Sequence, residues 1–394
     1  MPVIFLFDPH GAGSLPLQKY KALADAYGFI LVGSNNSKNG NDWSTTEHIW
    51  QCLWADLPHR LSINKNRVYT VGFSGGAKVA SYIALHHTGI QGVVVTGAAL
   101  PDETPDSDFP FSITILAGEG DLNLTDLVAT NAALNATHTR HSIVFFNGKH
   151  EWAPVSAMRI AFTGLQLDAM RKHLLVLQQP FIDQYIAESK RIVESSIQAN
   201  QLYKAMQQCT CAASLLDGLP GNGNLFKQQC VAIASNTLYK KQWQAEQQLL
   251  YIEQQTKEEY QQHFQQENKP YWVATIDHLK ASATGNTDEA HKNQRLLAYL
   301  SLAFYSISNQ LISTYQNSMA RYFTDLYILA DPSNSEAWYF SAILRARAQD
   351  TAGAEHDLLQ AVSHGFMDIP RMRHQSEFQA AISLTKVEAA MHHS

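Results

Sequence analysis

At 394 residues the chain is long enough for two domains, and with 45% hydrophobic residues it can bury large cores and is not a disordered chain. A net charge of −6, with no basic stripe and no arginine-lined recognition helix, excludes a nucleic-acid binder, and no apolar run approaches the length of a membrane span. Four cysteines do not make a disulfide framework in so long a chain, and Cys209 and Cys211, too close together and lacking a second pair, read as buried or half-buried thiols and not as a metal site.

The chain opens on "VIFLF", too short for a signal peptide and followed at once by Asp8 and His10. The compartment therefore stays open: cytoplasmic, or exported after loss of a leader. Five further strand candidates follow: "FILVGS", "RVYTVGF", "GVVVTGA", "SITILAG" and "SIVFFNG". They are near-continuous apolar runs, as strands buried on both faces are. Helical stretches separate them. In "STTEHIWQCLWADLPHRL", Ser44 is expected to cap the start with Glu47 reaching back, and Ile49, Trp50, Leu53, Trp54, Leu57 and Leu61 form one apolar face. Strand and helix in alternation predict a mostly parallel sheet covered on both sides. The helix in "APVSAMRIAFTGLQLDAMRKH" closes this first domain, residues 1–175.

From 176 to 394 the grammar is all helical and glutamine-rich, with breaks at "DGLPGNGN", "ENKPYW" and "ASATGNTDEA". The stretch 224–266 is one long helix or a hairpin. "SEAWYFSAILRARAQDTAGAEHDLLQAVSHGF" carries Trp338, Ala342, Ala354, Leu358 and Ala361 at a spacing that resembles a tetratricopeptide repeat. A weaker copy precedes it, with Ala320 and Pro332 in register, so the repeat-like part spans about 301–368. A true repeat array and an irregular bundle ending in one such hairpin both fit. Repeat helices can hold a protein partner on a concave face, or the helices can cover the first domain or support a homo-oligomer.

"GFSGG", Gly72 to Gly76, is G-x-S-x-G between a strand and a helix. A sharp turn there projects the Ser74 hydroxyl into a cleft, and glycines two residues either side relieve the crowding. The helix that follows directs free N–H groups at the site, so Gly75 can bind an oxyanion. After the first strand, "DPHGAG" offers Gly11 or Ala12 as a second donor. After "SITILAG" comes Asp121, with Asp126 a rival acid, and after "SIVFFNG" comes His150. Serine, acid and histidine in that order, each past the carboxyl end of a strand, are what an acyl-transfer triad needs. His10 is expected to shape its turn and, with Phe73 and Trp152, is a candidate to line the cleft, ordinary packing at a loop corner being the other reading of Trp152; Glu119 is expected to be solvated. His138 and His141, like His86 and His87, lack clustered carboxylates or cysteines and read as solvated histidines, not as metal ligands.

On "VIFLFDPHGAG", "YKALADAYGFILVGSNN", "LSINKNRVYTVGFSGGA" and "GKHEWAP", the first 165 residues or so resemble an α/β-hydrolase of the polyhydroxybutyrate depolymerase and feruloyl-esterase-like branch. The resemblance implies a carboxylic-ester hydrolase, with a small-molecule or polymer ester as substrate and no cofactor or metal. It departs from the family in lacking the usual first two strands, and in an aspartate and proline where an apolar residue commonly precedes the histidine. The competing expectations are a vestigial hydrolase acting as a scaffold through its helical half, and a peptidase of the same fold.

Overall fold

The computed structural model describes residues 1–101, 108–220, 223–265, 268–379 and 384–391. Its first part runs β1 (Val3–Phe7), α1 (Ser14–Tyr27), β2 (Ile30–Ser34), α2 (Trp43–Arg60), β3 (Val68–Phe73), α3 (Gly75–His86), β4 (Ile90–Thr96), β5 (Ser112–Gly118), α4 (Leu124–Leu134), β6 (His141–Phe146) and α5 (Val155–Arg171). All six strand candidates form one sheet, ordered β2-β1-β3-β4-β5-β6, with every neighbouring pair parallel. Strand alternation divides the apolar residues between two cores. Ile4, Leu6, Tyr69, Val71 and Leu116 pack on one face with Met158 and Phe162 of α5. Val3, Phe5, Phe7, Val93 and Ile115 pack on the other with Trp50, Ile83 and Leu127 from α2, α3 and α4. This is the doubly covered α/β sheet that the uninterrupted apolar runs require.

Beside β1 the chain goes first to β2 on one side and then to β3 on the other. This reversal opens a crevice at the carboxyl ends of β1 and β3, where parallel sheets bind ligands. Details of α2 differ from expectation. Asp42, not Ser44, is its cap: Oδ1 accepts from Thr45 N at 2.7 Å and from Ser44 Oγ at 3.0 Å. Glu47 instead accepts from Gln51 and pairs with His87, and Leu61 lies beyond the helix and is exposed. Asp42 stands immediately before the helix, Ser44 already lies in its first turn, and a carboxylate accepts more strongly than a serine hydroxyl, so Asp42 takes the cap.

Next come α6 (Gln179–Gln198), α7 (Leu202–Leu216), α8 (Gly223–Ser235) and α9 (Thr237–His263). The open stretch resolves into two helices separated at Asn236, whose Oδ1 accepts from Leu238 N at 2.8 Å. The chain forms two compact units, Met1–Leu250 and Tyr251–Ser394. The change from α/β to all-α grammar near 175 is thus a different boundary from the division into units. Ile182, Val193, Leu202, Cys209, Leu215 and Phe226 are buried in the same apolar core as α5, which binds α6, α7 and α8 to the first unit.

Cys209 sits 2.8 Å from Cys230 across α7 and α8, a pairing the spacing of Cys209 and Cys211 does not suggest. Their shared hydrogen bond pulls the Cys230 thiol down to about 7 and, with burial, pushes Cys209 far up. Oxidised glutathione is expected to join them: the pair gives up two protons and two electrons, and glutathione disulfide becomes two thiols. A thiol titration should show two fewer free thiols in the wild type, and no such pairwise loss in Cys230→Ser.

The second unit comprises the end of α9, α10 (Lys269–Ser282), α11 (Asp288–Ser313), α12 (Asn317–Ala330), α13 (Ser335–Arg347), α14 (Thr351–Ser363), α15 (Ile369–His374), α16 (Ser376–Gln379) and α17 (Leu384–Met391). From α10 to α14 each helix packs on the next. Trp272, Phe304, Leu326, Tyr339 and Leu358 fill the core, and Ala320, Ala342, Ala354 and Ala361 are fully buried. Trp338 is half-buried, its Nε1 donating to the Pro332 carbonyl at 2.8 Å.

One expectation needs correction. By length and composition α11 is apolar enough to cross a membrane. Its Leu296, Leu300, Phe304 and Ile312 lie in the unit's core. Its Arg295 donates through Nε at 2.7 Å to the fully buried Glu253, which also pairs with Lys257. An apolar stripe beside buried ion pairs is what a core helix carries.

Candidate active site

The crevice beside β1 and β3 is built from four loops. Ser74 follows β3 with φ 53° and ψ −123°, backbone that a non-glycine residue rarely adopts. The surrounding glycines make this bend possible. A Cβ on Gly72 would strike the Gly76 carbonyl, and one on Gly76 would strike the carbonyl of Phe7 in β1. The Ser74 N–H donates to Thr96 O at 2.8 Å, which ties the bend to the end of β4.

His150, on the loop after β6, brings Nε2 to 3.0 Å from Ser74 Oγ and Nδ1 to 3.0 Å from Asp121 Oδ1. Its side chain is 27% exposed, so the pair is open to a reactant, whereas Asp121 is fully buried. The loops after β5 and β6 run against each other. Gly120 N donates to Gly148 O at 2.8 Å, and a Cβ on Gly118 would lie 2.8 Å from the carbonyls of Gly148 and Lys149. Asp121 Oδ1 also accepts from Asn123 N at 2.9 Å, and Asn123 Nδ2 donates to Gly97 O at 2.8 Å. Asn123 escaped the sequence reading because nothing local marks a residue that ties two loops together. Asp126 is exposed on α4; Asp121 is the acid that meets His150.

The other expected residues take different places. Phe73 and Trp152 are buried: the Phe73 ring packs 4.8 Å from the His150 ring and 5.8 Å from that of Trp152. Trp152 Nε1 donates to Asp8 Oδ2 at 2.8 Å. The His10 ring is exposed, with Nδ1 3.7 Å from Asp8 Oδ1. Glu119 is half-buried.

Gly75 begins α3, and among the described residues no acceptor takes its N–H. Gly11 and Ala12 differ. The Gly11 N–H donates to Asp8 O at 3.2 Å and the Ala12 N–H to Asp8 Oδ1 at 3.3 Å, as does His10 N at 2.8 Å. The loop after β1 turns its amides inward onto Asp8, that of Gly11 onto the backbone carbonyl and those of His10 and Ala12 onto the buried carboxylate, so neither Gly11 nor Ala12 is placed as the second oxyanion donor. The aspartate that precedes the proline explains this departure.

Burial pushes the Asp8 carboxyl up, but the His10 side chain, Trp152 and the two backbone N–H groups outweigh it and hold it below its ordinary value. Its contribution to stability is therefore complete above about pH 4 and lost as the pH falls through the depressed value. Asp8→Asn should cost about 1–3 kcal/mol at pH 7. Urea midpoints at pH 7 and pH 3 should show the deficit shrinking in acid.

A separate cavity of about 360 Å³ lies beside β6, among Val144, Ile160, Tyr185, Ile192, Lys204 and Cys211, and includes none of Ser74, Asp121 and His150. Among the described residues no group of three or more His, Cys, Asp or Glu side chains could hold a metal ion. His87 pairs with Glu47 at 2.8 Å, and His141 meets Asn135 Oδ1 at 3.0 Å.

No family model matches the chain, and no curated protein matches it. Among solved structures, 42% of the chain is similar to 83% of FphF, a fluorophosphonate-binding serine hydrolase of Staphylococcus aureus, at 12% identity and a TM-score of 0.35. A similar share, 41%, is similar to 81% of a ferulic acid esterase, at 14% identity and a TM-score of 0.33.

Proposed function

We propose that the first unit is a serine hydrolase of the α/β-hydrolase type, acting on a carboxylic ester through Ser74, His150 and Asp121. The observation that carries this reading is the unbroken relay from Ser74 Oγ through His150 to Asp121, with both hydrogen bonds at 3.0 Å. The ester class comes from the sequence resemblance.

In this reading His150 Nε2 accepts the Ser74 proton as Oγ attacks the ester carbonyl. The carbonyl oxygen becomes an oxyanion at the N-terminus of α3, where the Gly75 N–H and the positive end of the helix dipole stabilise it. Asp121 holds the tautomer with the proton on Nδ1 and stabilises the imidazolium. Collapse expels the alcohol, which takes the proton from Nε2, and leaves an acyl-Ser74 ester. Water, deprotonated by the same imidazole, releases the acid and restores Ser74. Turnover of p-nitrophenyl acetate and covalent labelling by a fluorophosphonate test the reading. A folded sample that shows neither would leave a scaffold role for the chain.

For the second unit we read α11 to α14 as tetratricopeptide-like. The support is the succession of neighbouring helices with buried alanines at 320, 342, 354 and 361.

A further inference from the structure

We propose that the side-chain amide of Asn39 is the second oxyanion donor, acting opposite the N–H of Gly75; the proposal rests on the serine-hydrolase reading above. Three observations converge on it. The first is a vacancy in function: the amides expected to serve, those of Gly11 and Ala12, are spent on Asp8. One donor from Gly75 leaves a developing charge half-met, and the donors that count are those already aimed before reaction.

The second is a glycine the bend at Ser74 does not explain. Gly72 and Gly76 relieve backbone crowding, but what a Cβ on Gly75 would meet is the side chain of Asn39. Oδ1 fills the space of that Cβ, with Cγ 2.9 Å and Nδ2 3.5 Å from it. Gly75, the residue that follows the nucleophile, thus makes room for one amide. Among the described residues the Asn39 side chain has no hydrogen-bond partner, so its donors are available.

The third is that the residue is held in place. Asn39 lies on the loop after β2, whose backbone is fastened to the loop after β1 by Asn39 N donating to Pro9 O at 2.7 Å and by the bridge between His10 and Lys38. The side-chain torsion at the amide is two-fold, so turning it over places the Nδ2 hydrogens where Oδ1 lies. A negative oxygen forming at Ser74 favours that orientation. A side-chain amide opposite a backbone N–H then completes the site with donors from β2 and β3 in place of the pair expected from β1 and β3.

The experiment compares wild type, Ser74→Ala, Asn39→Ala and the isosteric Asn39→Asp on p-nitrophenyl acetate, with thermal unfolding and inhibition by phenylboronic acid as further readouts. Asn39→Ala should lower kcat by about 10²–10³-fold with KM within a few-fold, as removal of one such donor does. Affinity for the boronate, whose tetrahedral adduct carries the negative charge, should fall in parallel, and the unfolding temperature should not. Asn39→Asp keeps the shape but puts a carboxylate against the oxyanion, so it should lose at least as much, and it decides the matter if the alanine variant is unstable. Wild-type turnover that depends on Ser74 but survives within about three-fold in both Asn39 variants would overturn the donor role and leave the hydrolase reading standing. Absence of wild-type turnover and labelling would bring down that reading, and this proposal with it.

Discussion

Ser74→Ala is expected to lower ester turnover by at least about 10⁴-fold and to abolish fluorophosphonate labelling, because no other hydroxyl occupies the strained bend. The substitution removes only Oγ. Among the described residues that atom meets only His150 Nε2, so the fold should be unaffected and the unfolding temperature should not fall. Alanine keeps the Cβ that the positive φ of residue 74 disfavours, so the substitution relaxes no backbone strain. Residual activity would come from the Gly75 N–H and from binding alone. Wild-type labelling that persists in Ser74→Ala would place the nucleophile elsewhere and remove the basis of the mechanism. The measurement is labelling followed by mass mapping, with turnover in parallel.

Asp121→Asn is expected to cost about 10⁴-fold in kcat with the structure intact, the effect of misdirecting a triad histidine. The local geometry makes the reason specific. Oδ1 accepts from both His150 Nδ1 and the Asn123 N–H. If an asparagine keeps its carbonyl there, its NH₂ occupies the site of Oδ2, a buried atom with no hydrogen-bond partner among the described residues. If the amide turns over, the NH₂ faces the Asn123 N–H and forces His150 to carry its proton on Nε2, where it can no longer accept from Ser74. In both orientations the charge that stabilises the imidazolium is gone. Nitrogen NMR of the imidazole would report the tautomer directly. A variant within ten-fold of wild type, at unchanged tautomer, would show that Asp121 does not orient the base.

Much of the scaffold was legible because it is written locally. Six short Val-, Ile- and Phe-rich runs ending in Gly, Asn or Asp must be buried strands, and the helices between them leave a parallel sheet as the arrangement that covers both faces. The bend was equally legible: Gly72 is demanded by the Gly76 carbonyl four positions on, and Gly76 by the carbonyl of Phe7 in the neighbouring strand. The order of Ser74, Asp121 and His150 needed only the rule that functional loops leave the carboxyl ends of such strands. The tandem helices and their breaks at Pro, Gly and Asn followed from local chemistry in the same way.

What only the tertiary structure decided are the places where distant loops share one atom. Asp8 draws in the amides of Gly11 and Ala12 and the indole of Trp152, which turns an expected oxyanion loop into a braced one and an expected cleft wall into a buried pin. Asn39 lies 36 positions from Gly75 and Asn123 lies 27 from His150, and no periodicity or motif links either pair. Cys209 finds Cys230 and not Cys211, because residues two apart on α7 point to opposite faces of the helix while α8 folds back alongside. The sequence by itself determined the strands, the helices and the bend at Ser74, since backbone sterics and apolar periodicity act over a few residues. Which side chain met which across the crevice depended on loop closure and packing, whose energies belong to pairs far apart along the chain.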